Sequence, residues 1–522
     1  MTLAEVQFPH VLARDEASRA ADGLHPVPRR ILEVVPPAVA WAALTSPGWA
    51  AIVTPELLGY FLVAFAAYWL WRSCEFSAGL LIGLLQLHRS RRRNWAAVGN
   101  RIPGYQRLHH VVIVPTYKES DEILSETLDC LAQQTVPAER IAVVMAFEQR
   151  DTQAPVRAAR LSLRYASHFG RWLVTMHPDL PGEVKGKSSN LAWAARCVEE
   201  QLIATGQLDP RNLLVTVCDA DSRMDRQYLA ALGHQVLSHA DGRLHIYQPA
   251  ILFYANYTRL AFPLRAVSSV FSLYSLARLA AMHRLIPQST YSLSWWAARQ
   301  AGFWDVDVVP EDSHMFFKVW LHLGKRVRAR AIYLPVYADA AEGVDVWRSA
   351  ASTYQQIRRW AWGVSDVPYL MLRTVRARHI PWHVRVSRVG WYIEEHLVWP
   401  SHWFLLTLGG MLPPLLNHAY ARSPLGVWQT AAFSTLLGLC LPSLVLAVVA
   451  DLVLKWCGGE RNPWILLGGL LGFPLLPLTG LALVALPALD AHTRLLFGRS
   501  LAYQVTEKVP GTVGWRARAA ST

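Results

Sequence analysis

The sequence predicts an α/β domain inserted between N-terminal and C-terminal transmembrane helices. Long apolar runs occupy both ends of the 522-residue chain, and hydrophobic residues make up 52% of it. Charged residues contribute only 17% and the mean hydropathy is +0.19, whereas soluble globular proteins carry roughly a quarter charged residues. Between residues 107 and 356, short β-rich runs alternate with helical stretches. This alternation is typical of βαβ units around a mostly parallel sheet.

The N-terminal region predicts a transmembrane hairpin over residues 31–88. Residues 1–30 carry charges of both signs and no early apolar run, so we expect a cytoplasmic segment and no signal peptide. The apolar stretches 31–53 and 57–87 are each long enough for the roughly 20 residues of a spanning helix. A basic cluster at 88–93 follows the second stretch. The positive-inside rule places such a cluster in the cytoplasm.

Residues 89–385 predict a cytoplasmic α/β domain with interfacial helices. Its clearest strands are expected at 110–115, 141–146, 172–176 and 213–218, and polar residues follow each of them. Ligands of open α/β sheets bind beyond the carboxyl ends of the strands. The segments after these strands are therefore the place to seek functional residues.

The C-terminal membrane region is predicted at 386–490, with a cytoplasmic tail at 491–522. Candidate spans lie at 396–416 and 427–454. A third apolar run, 464–489, is interrupted by Gly472, Pro474, Pro477 and Gly480, and such broken segments occur at membrane depth where protein surrounds them. Basic residues flank this run on both sides. We expect a re-entrant segment, with a kinked crossing span as the alternative.

Charge and cysteine content narrow the choice of partners. The net charge of +13 in so apolar a chain indicates positive-inside anchoring and anionic partners, lipid headgroups or phosphates, and not nucleic acid. The six cysteines form no CxxC pair, so neither a zinc site nor a disulfide framework is suggested. We expect a multi-pass protein of the plasma (inner) membrane whose active site faces the reducing cytoplasm.

Two acidic motifs lie in the α/β region. Asp219 and Asp221 end the fourth strand one residue apart, so both carboxylates can face one hard cation, Mg²⁺ or Mn²⁺. Alone this is a weak signal, because Asp-rich turns are common. Glu311 and Asp312 precede an apolar-polar stretch. Asp312 is either a general base in the same pocket or the N-cap of a helix.

A third motif comprises Gln356, Arg359 and Trp360. Its amide, guanidinium and indole can contact sugar hydroxyls, a phosphate and a sugar face, although a juxtamembrane amphipathic helix would use similar residues. A tryptophan-rich segment around Trp296 offers acceptor-side surface or an interfacial aromatic belt.

In this order, the three motifs resemble those of the family 2 glycosyltransferases, together with the segments 115–119 and 187–190. The similarity is greater to the membrane-bound branch that includes cellulose, hyaluronan and chitin synthases. It covers about residues 107–363 with motifs, and beyond them only the general layout of spans. The resemblance implies a GT-A-type nucleotide-sugar-binding domain and an inverting enzyme.

The resemblance also implies roles for single residues. Asp219 and Asp221 would hold the metal that bridges the nucleotide-sugar diphosphate. Asp312 would take the proton from the acceptor hydroxyl, and Glu311 would orient it or a nearby group. The substrate-binding residues implied in the same way are Thr116, Glu119, Lys187 and Asn190 for the nucleotide and Gln356, Arg359 and Trp360 for the acceptor and diphosphate.

One departure concerns the second strand. Members of the family usually end it in two aspartates, the first of which contacts the nucleobase, but here residues 144–151 place no aspartate pair there. Glu148 is the first candidate to replace it and Asp151 the second.

From these observations we expect an enzyme that transfers a sugar, with UDP-sugars favoured as donors, to a growing polysaccharide. The QxxRW motif favours processive elongation. One alternative is single transfer to a polyprenyl phosphate or glycolipid, because the spans are few for a polymer channel. The other is an inactive membrane scaffold, which the intact acidic motifs disfavour. The expected partners are the nucleotide sugar, a carbohydrate or lipid-linked acceptor and membrane lipids.

Overall fold

The computed structural model of the protein describes residues 26–501. Residues 1–25 and 502–522, which hold most of the predicted N-terminal segment and most of the predicted tail, lie outside the described residues. The chain begins with two long helices, α1 at Pro26–Val53 and α2 at Pro55–Arg91. They are joined at Thr54, and Pro55 begins α2 at a position where its missing N–H costs no hydrogen bond.

A mixed eight-stranded sheet forms the centre of the following domain. Its order is β3-β2-β1-β4-β7-β6-β8-β5. The strands are β1 His109–Thr116, β2 Ile141–Glu148, β3 Arg171–His177, β4 Leu213–Val217, β5 Arg223–Met224, β6 Ile246–Leu252, β7 Tyr291–Ser294 and β8 Ala329–Tyr337.

The four strands that the sequence predicts form the parallel half of this sheet. Val112 of β1 lies opposite Val143 of β2 and Thr216 of β4. The other half differs from the expectation of a mostly parallel sheet, because β7 is antiparallel to both β4 and β6. β7 begins where β4 ends, with Tyr291 opposite Val217. This brings the loop before β7 to the carboxyl ends of the parallel strands.

Ten helices of the described chain surround or follow the strands of this domain. They are α3 Trp95–Gly99, α4 Asp121–Ala132, α5 Ala154–Tyr165, α6 Lys187–Val198, α7 Tyr228–Leu237, α8 Phe262–Arg278, α9 Trp295–Gln300, α10 Glu311–Leu323, α11 Val346–Ala361 and α12 Val367–Arg376. Alternate residues of β1 enter two different cores, because side chains of a strand point to opposite faces. Val111 and Ile113 pack in the core that contains α6 and α8, and Val112 and Val114 in the core that contains α4 and α7.

The C-terminal region is helical throughout its described part. Its helices are α13 Trp382–Val398, α14 His402–Phe404, α15 Leu412–Leu416, α16 His418–Arg422, α17 Pro424–Gly438, α18 Leu441–Cys457, α19 Pro463–Gly472, α20 Leu476–Gly480 and α21 Leu486–Leu496. Short helical turns at Phe473–Leu475 and Leu481–Ala485 join the last three into one run.

Within residues 26–501, three helical runs are long and apolar enough to cross a membrane: Pro55–Arg91, Pro424–Cys457 and Pro463–Leu496. They include the predicted spans 57–87 and 427–454. The predicted span 31–53 is not among them; the helix that covers it, α1, contains three internal prolines. The predicted span 396–416 is not either, because its helix is divided after Val398, where Pro400 lacks the N–H that would continue it. Both remain predictions.

Candidate active site

A cavity of about 570 Å³ lies beyond the carboxyl ends of β1, β2 and β4 and extends to α2, α13 and α20. This is the edge of the sheet where the sequence predicts the functional residues to meet. All twelve predicted site residues line this one cavity: Thr116, Glu119, Glu148, Lys187, Asn190, Asp219, Asp221, Glu311, Asp312, Gln356, Arg359 and Trp360. The fold therefore brings the separate motifs together, while their individual roles remain predictions.

Lys187, the first residue of α6, joins the two acidic motifs. Its Nζ lies 2.6 Å from Asp219 Oδ1 and 2.6 Å from Glu311 Oε1. Burial disfavours the charged ammonium, but the neighbouring carboxylates of Asp219, Glu311 and Asp312 outweigh it and hold the pKa of Lys187 well above its usual value. The site therefore contains a permanent positive charge between the DxD and ED carboxylates.

Glu311 and Asp312 occupy the first two positions of α10, where the helix N-terminus favours negative charge. The N-cap residue is Pro310, so the alternative that Asp312 is the N-cap is wrong. Burial raises the pKa of Glu311 to about 7, although Lys187 opposes the shift. Burial also raises the pKa of Asp312, against the effect of Lys187 and of backbone N–H donors. Both carboxylates are thus better proton acceptors than exposed ones.

Ser289, which the sequence did not single out, contacts three of these ionisable groups. Its N–H donates to Asp312 Oδ2 at 2.9 Å, and its hydroxyl donates to Asp219 Oδ2 at 2.6 Å. Its carbonyl accepts from Lys187 Nζ at 2.9 Å. Ser289 adopts a left-handed conformation, with φ of 60°, which few non-glycine residues adopt. Ser289 could not be found from sequence, because its role depends on the loop before β7 and the sequence does not reveal where β7 pairs in the sheet.

The segment after β1 forms the wall beyond the DxD motif. Glu119 Oε2 accepts hydrogen bonds from the Thr116 hydroxyl at 2.8 Å and from the Tyr117 N–H at 2.6 Å. These bonds close the turn that follows the strand and fix the Glu119 carboxylate. The guanidinium of Arg150 lies 4.7 Å from the Tyr117 ring centroid, so a flat, partly charged surface borders the cavity here.

Glu148, at the end of β2, lines the cavity where the family pattern has an aspartate. It is buried and accepts from Arg150 Nε at 2.8 Å. Asp151, the second candidate, is instead bound to Arg157 at 2.6 Å and does not line the cavity. Asn190 donates to the Ala146 carbonyl at 2.7 Å. Its buried Oδ1 has no hydrogen-bond partner among the described residues.

The QxxRW residues lie on the last two turns of α11. Gln356, Arg359 and Trp360 share the face that lines the cavity, as residues three and four apart do on a helix. Trp360 packs against the rings of Phe253 and Phe271, with centroid distances of 5.4 Å and 5.2 Å. The indole is thereby held in one orientation at the cavity wall.

The aromatic segment around Trp296 does not add to the site. Trp295 is buried in the core and donates to Glu199 at 2.6 Å, and Trp304 donates to the Tyr291 hydroxyl at 2.7 Å. None of these tryptophans lines the cavity. The expectation of acceptor-side surface there is wrong, because Trp295 and Trp304 are buried in the core and the exposed Trp296 lies outside the cavity.

The carboxylates at the cavity fit a hard divalent cation that takes part of its coordination shell from the protein and the rest from a substrate. No group of three or more His, Cys, Asp and Glu side chains within residues 26–501 is arranged to hold a metal. Mg²⁺ characteristically uses one or two carboxylates and completes its shell with phosphate oxygens and water. Asp219 and Asp221 at the cavity wall match that pattern, since they supply two carboxylates beside the space open to a diphosphate.

Residues 214–454 match the family described as glycosyl transferase family group 2. The match covers just under half of the chain, from β4 to α18, and includes the DxD, ED and QxxRW motifs. It supports a family 2 glycosyltransferase. No curated protein sequence matches the chain.

Solved structures show distant similarity. One is the mannosyltransferase PcManGT from Pyrobaculum calidifontis in complex with GDP-Man and Mn²⁺, with 17% identity, a TM-score of 0.43, and coverage of 84% of this chain and 100% of that one. Another is S. aureus TarS 1–349, with 13% identity, a TM-score of 0.33, and coverage of 68% and 93%. The function of this chain therefore has to be argued from its own residues.

Proposed function

We propose that the protein is a membrane-embedded, inverting glycosyltransferase that moves a sugar from a nucleotide-diphosphate donor to a growing polysaccharide. The observation that carries the proposal is the common cavity, in which the DxD and ED carboxylates are joined by Lys187 and faced by the QxxRW residues. These groups come from distant parts of the sequence. The family match over residues 214–454 supports the same chemistry.

Asp312 supplies the base of this reaction. Its carboxylate takes the proton of the acceptor hydroxyl while that oxygen forms a bond to the anomeric carbon. The bond from the anomeric carbon to the diphosphate oxygen breaks, and its electron pair leaves with the nucleoside diphosphate. Because attack comes from the face opposite the leaving group, the anomeric configuration inverts.

Lys187 stabilises the leaving group. Negative charge develops on the diphosphate as the bond breaks, and a fixed, buried ammonium at the DxD motif is a preorganised partner for it. Asp219 and Asp221 would hold Mg²⁺ or Mn²⁺, which when bound neutralises diphosphate charge. Arg359 on α11 faces the same cavity and adds positive charge there.

We place the nucleoside end of the donor against the cavity wall formed by the segments that follow β1 and β2. Tyr117 and Arg150 offer a flat surface, and the Glu148 carboxylate, which lines the cavity, offers a hydrogen-bond acceptor. Such an acceptor suits the N–H of a uracil ring, and it suits the N–H of guanine as well. We propose UDP-sugars as the donors, with GDP-sugars as the alternative that the donor screen decides.

The acceptor side supports elongation by a membrane protein. Trp360 presents an indole on which a sugar ring can stack, and the cavity continues to α2, which is long and apolar enough to span a membrane. We place the active site on the cytoplasmic side of the plasma (inner) membrane. The basic cluster at 88–93, at the end of α2, supports this orientation.

The test is a donor screen with the protein purified in lipid. UDP-sugars and GDP-sugars are supplied singly, and nucleotide release and product length are measured. We expect one UDP-sugar to support both, and excess EDTA to abolish them. Asp221→Asn should raise the metal requirement or eliminate turnover, whereas Asp209→Asn, a surface carboxylate at the start of a short turn, should change neither. Full activity in excess EDTA would remove the metal from the mechanism, and no nucleotide release from any donor would overturn the proposal.

A further inference from the structure

A second group of charged residues lines the same cavity on the side formed by α2, α8 and α13. We call it the ion cluster. α2, α8 and α13 contribute to it, together with the loop that follows α8. Its members are Arg72, Glu75, Arg278, Arg284, Glu394 and Glu395.

Every guanidinium of the ion cluster is paired with a carboxylate. Arg72 lies 2.7 Å from Glu75 and 3.9 Å from Glu394. Arg284 lies 3.1 Å from Glu75 and also contacts Glu394. Arg278 lies 2.7 Å from Glu395. Three positive and three negative groups therefore balance, and no arginine is left as a dedicated anion site.

The carboxylates are the more exposed partners. Side-chain exposure is 24% for Glu75, 22% for Glu394 and 25% for Glu395. It is 16% for Arg72, 13% for Arg278 and 2% for Arg284. Exposed carboxylates accept hydrogen bonds from hydroxyl groups. Because every guanidinium is already paired, the cluster offers a phosphate no unpaired cation.

A purely structural role, in which the ion pairs only hold the helices together, does not explain why the cluster is charged. Buried ion pairs are commonly replaced by apolar contacts of similar volume without loss of stability, and ionisable residues within spans generally mark functional sites. Arg72 and Glu75 lie near the middle of the 37-residue helix α2. Indoles of Trp69, Trp399 and Trp403 line the cavity beside the cluster, and they present flat apolar faces next to the polar groups.

We propose that the ion cluster is the acceptor subsite and that it selects an uncharged, hydroxyl-rich carbohydrate end over a phosphate-bearing lipid. This inference rests on the proposed function and adds the place where the acceptor binds and the side chains that select it. Sugar hydroxyls donate to the exposed carboxylates and accept from the paired guanidiniums, so binding leaves the charge balance unchanged. One hydroxyl is then free to reach Asp312 as the nucleophile.

The first measurement uses the unmodified protein in nanodiscs of phosphatidylcholine, with the nucleotide sugar that supports nucleotide release. Neutral oligosaccharides or a polyprenyl phosphate are added as acceptors. We expect oligosaccharides to raise nucleotide release at least about fivefold and polyprenyl phosphate to leave it unchanged. Stimulation by polyprenyl phosphate alone would overturn this inference while leaving sugar transfer intact. No turnover under any condition would overturn the proposed function as well.

The second measurement changes the charge of the ion cluster. Glu395→Gln leaves it with one excess positive charge, so we expect the KM for oligosaccharide to rise at least about fivefold while the donor KM stays within about twofold. Asp241→Asn removes the same charge from a surface pair with Arg326 that does not line the cavity, and it should alter neither value.

A merely structural cluster would give a different result. In Glu395→Gln the donor KM would then rise while nucleotide release to water and thermal stability fell, and the subsite would be contradicted. If that variant does not fold, Tyr274→Phe provides the test, because Tyr274 donates to Glu395 at 3.2 Å without carrying charge. We expect it to raise the oligosaccharide KM about two- to fivefold, and an unchanged KM would contradict the subsite.

Discussion

Asp312 is the residue on which the proposed chemistry depends. Its Oδ2 accepts the Ser289 N–H, and its Oδ1 accepts the N–H of Ser313 at 2.7 Å, so the carboxylate is held in one orientation at the start of α10. A positioned base contributes roughly 10²- to 10⁴-fold to the rate of such a transfer. Asparagine has nearly the same size and cannot accept the proton.

We therefore expect Asp312→Asn to lower transfer by at least about a hundredfold while donor and Mn²⁺ binding persist. Calorimetric titration with the nucleotide measures binding, and nucleotide release measures transfer. If transfer persists and thermal stability falls instead, Asp312 has a structural role and Glu311 becomes the candidate base.

Ser289 is expected to position Asp219 through its hydroxyl. Ser289→Gly and Ser289→Ala both keep the backbone bond to Asp312 and remove the hydroxyl bond to Asp219. Since one such hydrogen bond contributes about 1 kcal/mol, we expect Mn²⁺ binding, followed by the EPR signal of free Mn²⁺, to weaken roughly fivefold in both. The two variants should differ in melting temperature, with Ser289→Gly the more stable, because glycine adopts left-handed φ without strain. Unchanged Mn²⁺ affinity in both would rule out the positioning role.

At the scale of single elements, a buried network of charged side chains connects α10 to the segments before and after it, and the sequence did not reveal this network. His314 Nδ1 lies 3.0 Å from Asp366 and its Nε2 lies 2.8 Å from Asp305. Burial disfavours the imidazolium, but the two carboxylates outweigh burial and raise the pKa of His314 to about 10. The charged imidazolium holds the helix that carries Glu311 and Asp312.

This raised pKa predicts a pH dependence of stability. A group with a folded-state pKa above its unfolded value stabilises fully below the unfolded pKa and loses that contribution as pH rises towards the folded one. For His314 the window runs from about pH 6.5 to about pH 10. We expect the melting temperature to fall across this window, and to fall less steeply in His314→Gln. Parallel slopes for both proteins would contradict the assignment.

The parallel half of the sheet and the motif residues were accessible from sequence for one physical reason. Each strand from β1 to β4 is a short run rich in apolar side chains, and the functional residues that follow β1, β2 and β4 lie within a few positions of the strand's end. Local pattern alone therefore indicates both element and site. The positions of β7 and of Ser289 depend on pairing between residues at least 70 positions apart, which no local pattern encodes.

The ion cluster was hidden for a related reason. Glu394 and Glu395 are near a predicted span, and the sequence suggested only that they lie close to its end. Their partners Arg72, Arg278 and Arg284 are all more than 100 residues away in the sequence. The six residues of the cluster come together only because α2, α8 and α13 pack around one cavity.

At the scale of the whole molecule, the run Pro463–Leu496 decides the topology. It is long and apolar enough to cross a membrane, yet its first helix, α19, and its last helix, α21, both contact the domain that we expect in the cytoplasm. A Cβ at Gly472 of α19 would lie 2.3 Å from the Phe262 carbonyl of α8. Asp490 of α21 pairs with Arg358 of α11 at 2.8 Å. Contacts of both helices favour the predicted re-entrant segment 464–489 over a crossing span, and they would place Arg499 and the tail after it on the cytoplasmic side.

The topology prediction is tested with single cysteines in a background from which the six natural cysteines have been removed. Arg499→Cys, at an exposed position after α21, should react with a membrane-impermeant maleimide only after the cells are permeabilised. Arg92→Cys, in the basic cluster after α2, should behave in the same way, since the positive-inside rule keeps that cluster in the cytoplasm. Arg422→Cys, exposed before α17, should react in intact cells, because the predicted span 396–416 carries the chain across before it. Labelling of position 499 in intact cells, with the two controls behaving as expected, would replace the re-entrant segment by a crossing helix. The tail would then lie across the membrane from the cavity, where it could not approach the donor.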